Sequence, residues 1–249
     1  MVIKSLINHF AGYEARRKRL LHKAPDGPLK NFLAVPFPQL ETPMYELPIL
    51  AVDFETTGLD AKADKLLSVG FVAMEHEQIK LNTSYHQIIK AKTRLEESNV
   101  IIHQITDEQK EQGKPLEHVI EKLLQALAGK VMLVHFARIE RQFLQQACLE
   151  LYGLAPDFPM LDTLVIAKRL LDKRDVSYDP SELRLSKLRH KYQLPDHHGH
   201  NALNDAIATA EDLAKSLSER FDVAYSWSGD TLTFKRSGAK GKLTVEPTI

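Results

Sequence analysis

Asp53 and Glu55 stand two residues apart at the end of the run Ile49-Leu50-Ala51-Val52-Asp53-Phe54-Glu55. In an extended chain, residues at this spacing point to one face. The two carboxylates then sit side by side, as hard divalent cations require. Acids so spaced are also common on exposed strands. Here they close an apolar run, where unpaired charge is costly unless a metal or a cationic group compensates it. Thr56-Thr57-Gly58 then breaks the run.

The segment His200-Asn201-Ala202-Leu203-Asn204-Asp205-Ala206 adds an imidazole and a carboxylate five residues apart. Ala206, Thr209 and Ala210 form a packing face for a helix that carries Asp205 in its first part and leaves His200 in the preceding loop. A histidine there is ordinarily a polar loop residue. Beside a metal ligand it becomes a candidate general base, since imidazole takes and gives protons near neutrality. A third acid is needed, and Glu140 is a candidate, one helical step from Phe143 and Leu144 and just after an apolar stretch ending at His135. The same position suits an exposed helix glutamate paired with a cation, and spacing does not choose between the two.

Strands and helices must bring these groups together. Ile49 to Glu55 reads as a strand. Leu66 to Met74 and Gln78 to Ile89 read as two more, antiparallel to it because the connections are short. Helical periodicity follows at Leu116 to Leu127, then a short buried strand at Val131 to Val134 and a helix from about Ala137 to Leu151. Further helices are expected at Thr163 to Leu171, Glu182 to Tyr192 and Ala202 to Arg220. Strands first, then helices alternating with a central strand, indicate an α/β layer fold with a mixed sheet.

The ends differ in character. Ile3, Leu6, Ile7, Phe10 and Tyr13 trace an amphipathic helix to about His22, followed by the cations Arg16, Arg17, Lys18, Arg19 and Lys23. Those cations suit a solvated helix end or a contact with nucleic acid or another anionic surface. Six prolines between Pro25 and Pro48, with no sustained period, predict an extended linker or wrapping arm. Past Val223, segments around Tyr225, Thr231 to Lys235 and Lys242 to Val245 predict a small β meander packed on the last helix. The expected division is therefore a basic helix and proline-rich arm over 1–45, a central domain over 46–220 and a β extension over 221–249.

DFETTG at Asp53 to Gly58, HFARIERQFL at His135 to Leu144 and HNALNDAIATA at His200 to Ala210 resemble the three exonuclease motifs of the DnaQ-like superfamily. The histidine-to-aspartate spacing is that of its DEDDh branch, which includes the epsilon-type proofreading subunits of bacterial DNA polymerase III. The resemblance covers roughly Leu47 to Leu217. Ile102 to Thr106 and Leu161-Asp162-Thr163 carry weaker similarities of the same kind.

The resemblance implies an α/β, RNase H-like mixed five-stranded sheet flanked by helices, with the N-terminal helical arm and C-terminal meander attached. It implies 3′-5′ exonuclease activity with nucleoside monophosphates as product; the superfamily handles both DNA and RNA, and the expected substrate is single-stranded DNA, in repair or proofreading. Two divalent cations, Mg²⁺ or Mn²⁺, would be held by Asp53, Glu55, Glu140 and Asp205 about 3.5–4 Å apart. His200 would take the proton of the attacking water. Thr56, Thr57 and Gly58 would lie beside the terminal nucleotide, and Leu59 and Phe136 would wedge or stack on its base. The family supplies aspartate where this chain has Glu140, so the carboxylate must fold back or bind through water. Two other readings remain open, a non-catalytic nucleic-acid-binding module and a 3′-5′ exoribonuclease.

Composition constrains the partners. Lys plus Arg equals Asp plus Glu, 33 each, so a nucleic-acid contact must come from a local basic surface. Cys148 is the single cysteine, which excludes an intrachain disulfide. No apolar run approaches the roughly eighteen residues that span a bilayer, and the first residues lack the order of a secretory signal. The expected setting is cytoplasmic, with a replication or repair protein docked on the N-terminal arm.

Overall fold

The computed structural model describes residues 2–39, 42–76, 78–90, 105–173, 175, 177–221, 223–228 and 231–236. Its elements are α1 (Val2–Leu21), α2 (Pro28–Ala34), β1 (Ile49–Thr56), β2 (Leu66–Glu75), β3 (Gln78–Ile88), α3 (Asp107–Glu111), α4 (Leu116–Leu127) and β4 (Val131–Val134). They continue as α5 (Arg138–Tyr152), β5 (Met160–Asp162), α6 (Thr163–Lys173), α7 (Leu185–Lys191), α8 (Ala202–Phe221), β6 (Val223–Ser228) and β7 (Thr231–Arg236). The strands lie in the order β5-β4-β1-β2-β3-β7-β6. β1 runs antiparallel to β2 and parallel to β4, and β4 is parallel to β5. Five of these strands form the expected mixed α/β sheet, flanked by helices on both faces.

Alternation along β1 separates the two halves of the core. Leu50, Val52 and Phe54 face a cluster built from α2, α4 and α5, including Phe32, Leu123, Leu124, Phe143 and Leu144. Ile49 and Ala51 face the other cluster, where Ala206, Ala210 and Leu213 of α8 lie against Val72 and Leu133. Asp53 and Glu55 continue that second row. Their side chains therefore emerge on the α8 side, at the end of the strand where apolar packing stops. Ala202, Ala206, Ala210 and Ala214 are all buried, and this small-residue row lets α8 lie close to the sheet.

Two expectations are revised. The stretch from Pro25 to Pro48 is not a featureless extended linker. It contains α2, with Pro28 at its start, and a 3₁₀ turn at Met44–Glu46. Leu29, Phe32 and Leu33 of α2 are fully buried in the main core, so the arm is part of the packing. The C-terminal hairpin β6-β7 joins the sheet instead of only covering the last helix: Ile79 and Lys80 of β3 pair with Leu232 and Thr231. The third expected strand, Lys242 to Val245, lies outside the described residues.

The N-terminal cations are partly spent on the fold. Arg17 is buried, paired with Glu14 at 2.6 Å, and donates to the Leu33 carbonyl of α2. Arg16 reaches Asp157 at 3.2 Å and lies over the Tyr13 ring. Lys18, Arg19 and Lys23 stay exposed. No described helix is long and apolar enough to cross a membrane.

Candidate active site

β1 and α8 converge at one point. Asp53, Glu55 and Asp205 each offer a carboxylate oxygen, and the three oxygens lie within 4.8 Å of one another. Glu55 is buried, and Asp53 and Asp205 are partly so. The strand register explains the meeting. Asp53 pairs with Gly70 of β2, and a side chain at Gly70 would collide with the main chain of Ala202 and Leu203. The glycine lets the start of α8 rest on the sheet beside Asp53, which places Asp205 one turn further along.

Asp205 is held on both oxygens. Oδ2 accepts from the main-chain N–H of His200 at 2.8 Å and of Asn201 at 3.3 Å, while Oδ1 contacts Nε2 of His197 at 2.8 Å. The Asn201 side chain caps the helix by accepting from the N–H of Asn204. His200 has a φ of 65°, a conformation uncommon for a residue with a side chain, and its side chain is exposed.

Glu140 approaches from the third direction, in the first turn of α5. It is buried, it lies outside the set of three within 4.8 Å, and its Oε2 has no hydrogen-bond partner. Burial raises its pKa to about 8, opposed by its own main-chain N–H and reinforced by Asp162 and Glu55. Burial also raises Asp53 well above the usual carboxylate range, with further upward pressure from Glu140, Asp205 and Glu55.

Asp162 was absent from the first set of site residues, although it orients two of them. Its Oδ1 accepts from the N–H groups of Phe136 and Leu164, at 3.1 and 2.9 Å, and its Oδ2 from Ala137 at 2.9 Å. One buried carboxylate thus ties the start of α5, which carries Glu140, to the start of α6. It also pins Phe136, which has a φ of 72° and is 44% exposed. Leu59, 71% exposed, projects from the loop after β1.

That loop is self-supporting. Thr57 Oγ1 donates to Asp64 Oδ1 and accepts from the Lys65 N–H, both at 3.0 Å. Thr56 Oγ1 donates to the Gly58 carbonyl at 2.6 Å. A Cβ at Gly58 would meet the Asp64 carboxylate at 2.5 Å. The two hydroxyls and the glycine therefore serve the shape of the loop, and Asp64 is the partner that spacing did not reveal. Of the weaker similarities, residues 102–104 lie outside the described residues.

Three carboxylates at one point, with a fourth bearing an unpartnered buried oxygen, are mutually repulsive as anions. Among the described residues, no lysine or arginine forms an ion pair with Asp53, Glu140 or Asp205. An all-oxygen donor set suits hard divalent cations, so the residues fit such a group. Residues 50–213, which hold every one of these acids, match the model of the exonuclease family. The chain belongs to that family, of the DnaQ-like, DEDDh type.

The chain is 33% identical over 164 residues to the PolC-type DNA polymerase III of Thermotoga petrophila. The match covers 65% of the chain and only 11% of that polymerase. It shares its fold with the zinc-bound complex of Escherichia coli exonuclease I and single-stranded DNA, at a TM-score of 0.60, 16% identity, and 70% and 41% coverage of the two chains. The nuclease domain of 3′hExo bound to rAMP superposes with a TM-score of 0.58 at 18% identity, covering 72% of this chain and 95% of that one. A second family model, of a putative polyhydroxyalkanoic acid system protein, matches residues 196–248.

The Glu140 shift predicts how stability depends on pH. A carboxyl whose folded pKa lies above its unfolded value binds its proton more tightly when folded, so stability is lost as pH rises between the two. For Glu140 this window runs from about 4.5 to about 8. Asp212, raised to about 8 chiefly by burial, contributes with the same sign. In EDTA, the protein should therefore lose thermal stability between about pH 5 and pH 8, by on the order of a few kcal/mol. Glu140→Gln should reduce that slope without abolishing it, and Mn²⁺ should stabilise the native protein more at pH 8 than at pH 5. A slope unchanged by Glu140→Gln in thermal melts would contradict the shift.

Proposed function

We propose that this chain is a 3′-5′ exonuclease that hydrolyses terminal phosphodiester bonds of single-stranded DNA by a two-metal mechanism and releases nucleoside monophosphates. The observation that carries the reading is the meeting of Asp53, Glu55 and Asp205 within 4.8 Å in a member of the exonuclease family. Asp53 is the central ligand, with Glu55 and Asp205 beside it, and Glu140 completes the set once ionised. Bound Mg²⁺ or Mn²⁺ would supply charge neutralisation for the attacking and leaving oxygens.

The chain's own side chains do the rest. His200, whose side chain is exposed and whose main chain is bonded to Asp205, accepts the proton of the attacking water. Phe136 and Leu59 present exposed apolar surface, and their place is against the terminal base. The Phe136 main chain is pinned by Asp162, which lowers the ordering cost of a contact made there. Exposed Lys18, Arg19 and Lys23 are the surface offered to a replication or repair partner, and the setting is cytoplasmic.

DNA is preferred on the strength of the polymerase relatives. The rAMP bound to the fold neighbour keeps an exoribonuclease as the second reading. The test is incubation with 5′-labelled single-stranded DNA and matched RNA in Mg²⁺, Mn²⁺ or EDTA. A metal-dependent ladder shortening from the 3′ end, faster on DNA, is expected. A faster RNA ladder reverses the substrate choice. No ladder with either metal, from folded protein, leaves a binding module in place of an enzyme.

A further inference from the structure

Asp205 is gripped by two histidines in different ways. His200 uses its main-chain N–H, whereas His197 uses the ring itself, Nε2 lying 2.8 Å from Oδ1. Both side chains of the His197–Asp205 pair are largely buried, 15% and 14% exposed. An ionised carboxylate can only accept, so Nε2 must carry the hydrogen and donate. That assignment fixes the tautomer and removes Nε2 of His197 as a proton acceptor. Three of the roughly four acceptor sites of the carboxylate are then taken, and Asp205 still offers an oxygen within 4.8 Å of those of Asp53 and Glu55.

The geometry points to His197 as a positioning residue of the metal centre. Its Nε2–H aims the Asp205 carboxylate at the shared cation, and the proton-accepting role stays with His200. The inference rests on the metal-dependent reading given above and adds a division of labour between the two histidines. Without the ring, the main-chain contacts would still hold Oδ2, but Oδ1 would be free to swing away from the cluster. Hydrogen-bond partners of metal ligands act in this way by restricting ligand orientation.

Mn²⁺ binding followed by electron paramagnetic resonance reads this role without reference to turnover. His197→Ala should weaken Mn²⁺ binding by roughly 10–100-fold, with kcat approaching wild type once metal saturates. His197→Gln, whose amide can place an N–H near the position of Nε2, should recover most of the affinity. His200→Gln should do the reverse, binding Mn²⁺ as wild type does while losing kcat. Melting in EDTA shows whether each variant is folded.

Unchanged Mn²⁺ affinity in folded His197→Ala would overturn the assignment. So would a loss of kcat at saturating metal that His197→Gln fails to restore, because His197 would then be moving the proton. A wild-type protein that takes up no Mn²⁺ would overturn the metal reading beneath it and this assignment with it. That result is distinguishable because it appears before any histidine is changed.

Discussion

Asp53→Asn should lower metal-dependent nuclease activity at least about a thousandfold and, in EDTA near pH 8, raise the melting temperature. The first effect follows from the place of Asp53 among the acids. Glu140, Asp205 and Glu55 all act electrostatically on it, so it is the group through which the four carboxylates are coupled. Metal charge is worth several kcal/mol to phosphoryl transition states, and each 1.36 kcal/mol is a factor of ten in rate. The second effect has the opposite sign because a buried anion among anions opposes folding when no cation compensates it. Asparagine keeps the shape and removes the charge, with roughly 2–4 °C gained per kcal/mol recovered in a chain of this size. Such a trade of stability for activity is expected where a site stores repulsion for a ligand to relieve. A variant that keeps its metal-dependent ladder to within tenfold, or melts lower than wild type in EDTA at pH 8, would contradict this role.

The legible part of the site was the part whose spacing is local. Asp53 and Glu55 end an apolar strand at a period of two, and His200 and Asp205 flank one helix start, so pattern and burial cost together exposed them. Glu140 was not legible by spacing. What distinguishes it from a surface glutamate is its own burial in the first turn of α5, and Asp162, a residue 22 positions later in the chain, anchors the start of that helix. His197 was hidden among three histidines within four positions, where only the folded loop shows which ring turns inward.

The fold divided along the same line. β1, β2, β3 and β4 and the helices α4, α5, α6 and α8 fall close to where periodicity put them. β5 has three residues, too few to show a period. α2 has seven residues in a proline-rich stretch, and proline marks its first turn as readily as a loop. The hairpin β6-β7 could be read as strands, but its pairing with β3 depends on which sheet edge stands next to it, a fact the alternation of side chains does not contain.

Gly70→Ala should remove the site from a distance and unsettle the protein. A Cβ at Gly70 would lie 2.1 Å from the Leu203 nitrogen and 2.2 Å from the Ala202 carbonyl carbon. Both are main-chain atoms, so no side-chain rotation relieves the clash. α8 must lift from the sheet, and Asp205 moves with it. Overpacking typically costs about 1–3 kcal/mol, and a displacement of about 1 Å at reacting groups can cost about a hundredfold in rate. Both losses are expected, with weakened Mn²⁺ binding measured well below the melting temperature.

Gly113→Ala separates the two effects. Its Cβ would press on main-chain atoms of Lys90 and Ile88 at 2.7 and 2.8 Å, where the chain forms a bridge between Ile89 and Lys114, outside the acid cluster. That variant should lose stability while keeping Mn²⁺ affinity. If Gly70→Ala instead kept wild-type affinity and activity to within about threefold, α8 would not be seated on β2 through this contact. The single strand position that lets Asp205 meet Asp53 would then have to be sought elsewhere along the helix.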